Sequence, residues 1–102
     1  MPTLHTVNKS PFERTTLDSC LAHALPGSAV LLIEDGIYGA IDGTSAAGRV
    51  KEALSNLSIY VLGPDLKARG MREDQVIDGI RIVDYAGFVD LATENDRVQS
   101  WL

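Results

Sequence analysis

Cysteine is almost missing from this chain: Cys20 is the only one in 102 residues. No disulfide can close within the chain, and no Cys/His grouping has the spacing of a zinc site. Cys20 is therefore either a small apolar filler or a reactive thiol. Positive charge is also scarce, with nine Lys and Arg against fourteen Asp and Glu and a net charge of −5. The few basic residues are scattered, which excludes direct binding to a nucleic-acid backbone and disfavours an anionic membrane surface. Long apolar runs are lacking too. The longest, Ala29 to Ile33, falls far short of the roughly 20 residues of a spanning helix. The opening Met1-Pro2-Thr3-Leu4-His5 has neither the basic start nor the apolar stretch of a secretory signal, so a cytoplasmic protein is expected. Repeats, linkers and low-complexity tracts are absent, as are GxGxxG and P-loop fingerprints, and no cofactor is expected.

What is present suits one folded domain. Apolar residues make up 45% of the composition and charged residues 23%, ordinary values for a globular protein. Residues 1–102 read as a single unit with one modest core. Four β-favouring runs stand out, Leu4 to Val7, Ala29 to Glu34, Ser58 to Leu62 and Ile80 to Val83, each followed by Gly, Pro, Asp or Asn. Their starts lie about 22 to 29 residues apart, close to one βαβ repeat. Val30-Leu31-Leu32-Ile33 is continuously apolar, as in a strand covered on both faces. A parallel sheet with right-handed crossovers follows.

Between the first two runs, Thr15 or Thr16 can cap a helix reaching about Leu25, with Asp18 completing a variant capping box and Pro26-Gly27 ending it. At 100° per residue, Leu17, Leu21, Ala24 and Leu25 share one face. Cys20 lies about 60° to one side of Leu17, at the border of the buried stripe, and His23 about 60° further round. Cys20 needs help to be reactive, since an ordinary thiol is only a few per cent ionised at neutral pH. The N-terminal half of the helix and His23, a candidate thiolate partner, offer that help, while Asp18 opposes it. A short helical piece follows Asp35-Gly36, a second helix spans about Ala46 to Leu54, a third begins at Pro64 and stops at Gly70, and a last runs from Tyr85 to about Thr93.

Other residues have a structural and a chemical reading. Glu34-Asp35-Gly36 follows the second strand's carboxyl end, where open parallel sheets place ligands, but two carboxylates repel anions, and Asp35 as a helix cap with Gly36 in the turn accounts for them. A receiver-like phosphoacceptor on Glu34 and Asp35 lacks its downstream lysine signature. His5, in a short interior strand, reads as a hydrogen-bonded core histidine rather than a base. Lys67, Arg69 and Arg72 form a small basic patch, most simply a solvated face. Trp101 at the chain end is costly to leave in water and points to docking on a partner.

Four separated segments, in order and covering the whole chain, resemble the DsrH/TusB family of sulfur-relay subunits, most closely its DsrH branch. They are Leu4 to Phe12 (LHTVNKSPF), Glu34 to Tyr38 (EDGIY), Tyr60 to Gly70 (YVLGPDLKARG) and Val83 to Leu91 (VDYAGFVDL). The resemblance implies a three-layer α/β/α fold with a mainly parallel sheet of about four or five strands. It also implies a heterohexamer with two copies each of DsrE-like, DsrF-like and DsrH-like chains. In that family the main persulfide cysteine belongs to the DsrE-like chain. DsrH-like members carry a cysteine on the first helix, where Cys20 falls, and TusB-like members commonly lack it. A DsrC-like or TusE-like protein is the implied acceptor and a TusA-like or rhodanese-like carrier the implied donor. Persulfide transfer is thiol exchange and requires no metal or nucleotide. The first expectation is thus an accessory subunit in dissimilatory sulfur oxidation, not catalytic alone, with Cys20 as carrier and Trp101, Tyr38 and Phe88 as interface residues. The alternatives are a TusB-like role in 2-thiolation of the tRNA wobble uridine, and a scaffold in which Cys20 is inert.

Overall fold

β-branched and aliphatic residues concentrate in the runs named above, and a computed structural model, which describes residues 2–102, turns each into a strand. They are β1 (Thr3–Val7), β2 (Ala29–Leu32), β3 (Ser58–Leu62) and β4 (Arg81–Val83). A fifth, β5 (Arg97–Trp101), lies outside the four runs and brings the sheet to the upper count that the resemblance implies. All neighbours are parallel, in the order β4-β3-β2-β1-β5. β5 escapes the usual strand signals because it is an edge: four of its five residues are exposed, so no alternating apolar pattern is required of it.

The helices are α1 (Thr16–His23), α2 (Ala47–Ala53), α3 (Gly63–Ala68) and α4 (Tyr85–Glu94), with 3₁₀ segments at Glu34–Ala40 and Glu73–Gln75. Side chains alternate across each strand, and two cores result. On one face Val7, Val30, Leu32, Ile59 and Val61 meet Leu17 and Cys20 of α1, Ala47 and Val50 of α2, and Leu66 of α3. On the other, Leu4, Ala29 and Leu31 meet Leu91 of α4, with Ile33, Tyr60, Val83 and Phe88 alongside. The three-layer α/β/α arrangement is therefore present but lopsided, with one helix on the second face. Each aliphatic side chain fully withdrawn from water contributes roughly 1.5–3 kcal/mol, and Val7, Val30, Leu31, Leu32 and Val61 are all at 0% exposure.

Local chemistry explains most boundaries. Pro64 occupies the first turn of α3, where its missing N–H costs nothing, and Gly70, at φ +71°, supplies the left-handed stop. Asp84 caps α4, its carboxylate accepting from the Gly87 N–H at 2.8 Å. The anticipated cap of α1 is different in fact. Thr15 makes no side-chain cap bond, and Asp18 instead accepts from Arg49 Nε at 2.7 Å, tying α1 to α2.

Candidate functional site

Cys20 lies in the middle of α1, directed at the sheet rather than along the edge of the buried stripe. Its exposure is 0%, which corrects the border position expected from the helical wheel. Burial pushes the thiol from an ordinary 9.0 up to about 12, since low-dielectric surroundings disfavour the thiolate. Three pKa units correspond to roughly 4 kcal/mol, whereas a helix N-terminus returns only about 0.3–1 kcal/mol. Desolvation outweighs the helix field, and the buried Cys20 thiol is held in its neutral form.

His23 has other partners than the Cys20 sulfur. The His23 Nδ1–H donates to the Ser19 carbonyl at 2.7 Å, and the ring lies against Trp101 with centroids 6.1 Å apart. Trp101 is likewise not a free docking handle. It closes β5 opposite Val7, is half-buried against the larger core, and donates its indole N–H to His5 Nδ1 at 3.0 Å. His5 is a hydrogen-bonded interior histidine, 6% exposed, and burial lowers its pKa. Of the other two interface candidates, Tyr38 packs partly buried on the larger core and Phe88 on the smaller one.

The loop after β2 is held by charges rather than by a cap. Ile33, not Asp35, stands at the start of the 3₁₀ segment. Asp35 accepts from Arg69 Nε at 3.0 Å, and the Glu34 N–H donates to Asp65 Oδ2 at 2.6 Å, fastening the loop to α3. Glu34 itself sits at φ +50°. Gly36 serves close approach and not a turn: any Cβ there would fall inside the Val7 carbonyl oxygen. The basic patch is dispersed, since Arg69 pairs with Asp35 and Arg72 with Asp74.

Strands β3 and β4 are adjacent, yet their carboxyl ends lead to helices on opposite faces, which makes that point the switch of the topology. An open crevice lies there, lined by Pro64, Leu66, Lys67, Met71, Ile82 and Asp84 among others. Gly63 and Gly87 let its walls come together; a Cβ on Gly87 would stand 2.8 Å from Val83 Cβ. The lining contains no thiol, hydroxyl or imidazole. Among the described residues no group of three or more His, Cys, Asp or Glu could hold a metal ion. This crevice can hold a chain or a side chain but has no thiol of its own to carry a persulfide.

Comparison with known proteins agrees with that layout. The family model described as DsrH like protein matches residues 9–98. The chain belongs to the DsrH/TusB family of sulfur-relay subunits. Relatives of this DsrH/TusB-like chain include Protein TusB of Pectobacterium parmentieri, 36% identical over 96% of this chain and 99% of that protein. Protein TusB of Erwinia tasmaniensis is 38% identical over the same shares, and Protein TusB of Escherichia coli K12 is 34% identical, again over 96% and 99%. Among solved structures, the ychN protein of E. coli superposes with a TM-score of 0.78 at 16% identity, covering 98% of this chain and 99% of its own. A protein of unknown function from Methanobacterium thermoautotrophicum gives 0.75 at 16% identity, over 96% and 97%. These two share the fold.

Proposed function

We propose that this chain is the TusB-like subunit of a sulfur relay that ends in 2-thiolation of the tRNA wobble uridine, and that it assembles and orients its partners without carrying sulfur itself. The observation that carries the reading is the burial of Cys20, at 0% exposure with its thiol pushed up to about 12. A persulfide carrier needs a thiolate that another protein's sulfur can reach, and neither α1 nor the β3/β4 crevice offers one. This burial supports the scaffold reading of Cys20 over the carrier reading. The names of the relatives favour the tRNA branch over sulfur oxidation.

The second sheet face suits assembly. On α4, Tyr85 at 60% and Val89 at 62% exposure stand four residues apart on one helix face, and exposed apolar side chains at that spacing favour a protein neighbour. On this reading the neighbours are DsrE-like and DsrF-like subunits in a cytoplasmic hetero-oligomer, sulfur arrives from a TusA-like or rhodanese-like donor, and a TusE-like protein takes it away.

The test is complementation. In a bacterium lacking its own TusB, the wild-type chain and the variants Cys20→Ala and Cys20→Val restore 2-thiouridine in tRNA equally, measured by mass spectrometry of nucleosides. A Cys20→Ala chain that folds and joins the complex but leaves tRNA unthiolated refutes the non-carrier role. Failure of the wild type itself, together with sulfur-oxidation activity alongside DsrE-like and DsrF-like chains, refutes the tRNA assignment.

A further inference from the structure

The edge strand β5 pairs with β1 alone in the sheet. Its backbone pairs residue by residue from Thr3↔Arg97 to Val7↔Trp101. Two side-chain bonds reinforce the ladder, Thr6 Oγ1 to Ser100 Oγ at 3.3 Å and Trp101 Nε1 to His5 Nδ1 at 3.0 Å. Trp101 also lies near two imidazoles, those of His5 and His23, each with its centroid 6.1 Å from the indole.

The second bond has a direction. An indole N–H can only donate, so His5 Nδ1 must hold a free lone pair, and the proton of the neutral ring is on Nε2. We propose that β5 is a pH-gated strap: protonation of His5 at Nδ1 replaces the lone pair by an N–H, sets two donors against each other, and loosens β5 from β1. The groups around His5 do not rescue its cation. Gln99 opposite it on β5 is uncharged, Val30 beside it on β2 is apolar, the α1 residue Cys20 that shares the core with Val7 and Trp101 is a neutral thiol, and neither histidine joins any of the four ion pairs among the described residues. His23, the other imidazole near the indole, is held through its Nδ1–H by the Ser19 carbonyl and makes no bond to Trp101 Nε1.

The sign follows from burial, which lowers the His5 pKa below its ordinary 6.5. The unfolded strap binds the proton more readily than the folded one, so the strap is at full strength above pH 6.5 and weakens as pH falls through the folded value. Losing one neutral hydrogen bond changes the closed-to-open ratio by about tenfold.

Trp101 is the only tryptophan, so intrinsic fluorescence of the full chain reads the strap directly. Between pH 8 and 5 we expect a reversible red shift with a midpoint below 6.5. Amide protection factors of Val98 to Trp101, corrected for intrinsic exchange, fall about tenfold while those of β2 and β3 hold. In His5→Gln, whose amide oxygen accepts at every pH, the transition disappears; in His23→Gln it stays. A transition that survives His5→Gln, one abolished by His23→Gln, or flat protection in β5 overturns the proposal. Should His5→Gln fail to fold, the wild-type NMR titration decides. The Trp101 indole N–H resonance then moves with the His5 ring nitrogens at a shared midpoint, and separate midpoints overturn the strap.

Discussion

Alkylation of Cys20 discriminates most directly between a packed thiol and a relay thiol. Only thiolate reacts with iodoacetamide or a disulfide reagent. At pH 7.5 a thiol with the ordinary value of 9.0 is about 3% ionised, whereas one pushed up to about 12 is ionised about a thousandfold less. Access adds to this, because at 0% exposure the sulfur meets reagent only when α1 lifts from the sheet. The native chain is therefore expected to react at least about a thousandfold more slowly than the same chain in guanidinium chloride, followed by mass gain at Cys20 at matched pH. A native rate within about tenfold of the unfolded rate refutes both the burial and the non-carrier role built on it.

The same thiol makes the fold alkali-sensitive. Its folded pKa is raised, so its contribution is intact below 9.0 and is lost as pH rises through about 12; the loss is on the order of 4 kcal/mol and is absent from Cys20→Ala, as urea unfolding between pH 8 and 11 will partly register. Gly36→Ala forces a methyl into the Val7 carbonyl and is expected to cost about 3 kcal/mol, lowering the thermal midpoint by more than about 10 °C. Asp84→Ala removes the cap on α4 and costs about 1 kcal/mol, visible in the denaturant midpoint with an unchanged slope. Asp35→Asn breaks an ion pair whose Arg69 and Asp35 side chains are 25% and 55% exposed, and a loss of more than about 1 kcal/mol would contradict the screening expected of such a pair.

The inner strands were legible because β1, β2 and β3 must bury side chains, and burial demands aliphatic or β-branched residues at set positions. The helix ends at Pro64, Gly70 and Asp84 were legible because backbone chemistry there is local. β5 was not, for its partner is β1, more than ninety residues away in sequence, and its exposed outer positions are free to be polar. Two positions were obscured for the same reason. The tie of Trp101 to His5 spans nearly the whole chain, so Trp101 looked like an orphan. Cys20 looked marginal because a helical wheel shows angle and not depth, while the core containing Cys20 also has Trp101 packed against it. The ties of Asp18 to Arg49 and Asp35 to Arg69 cross 31 and 34 residues, beyond any spacing rule.

Because the strand made first lies between β2 and the strand made last, the ladder cannot be finished until nearly the whole domain has been synthesised. During that interval β1 can pair on only one side, and its other row of amides and carbonyls is open to any extended chain nearby. Truncations that remove Arg97–Trp101 should for that reason yield sticky, self-associating material rather than a slightly smaller monomer.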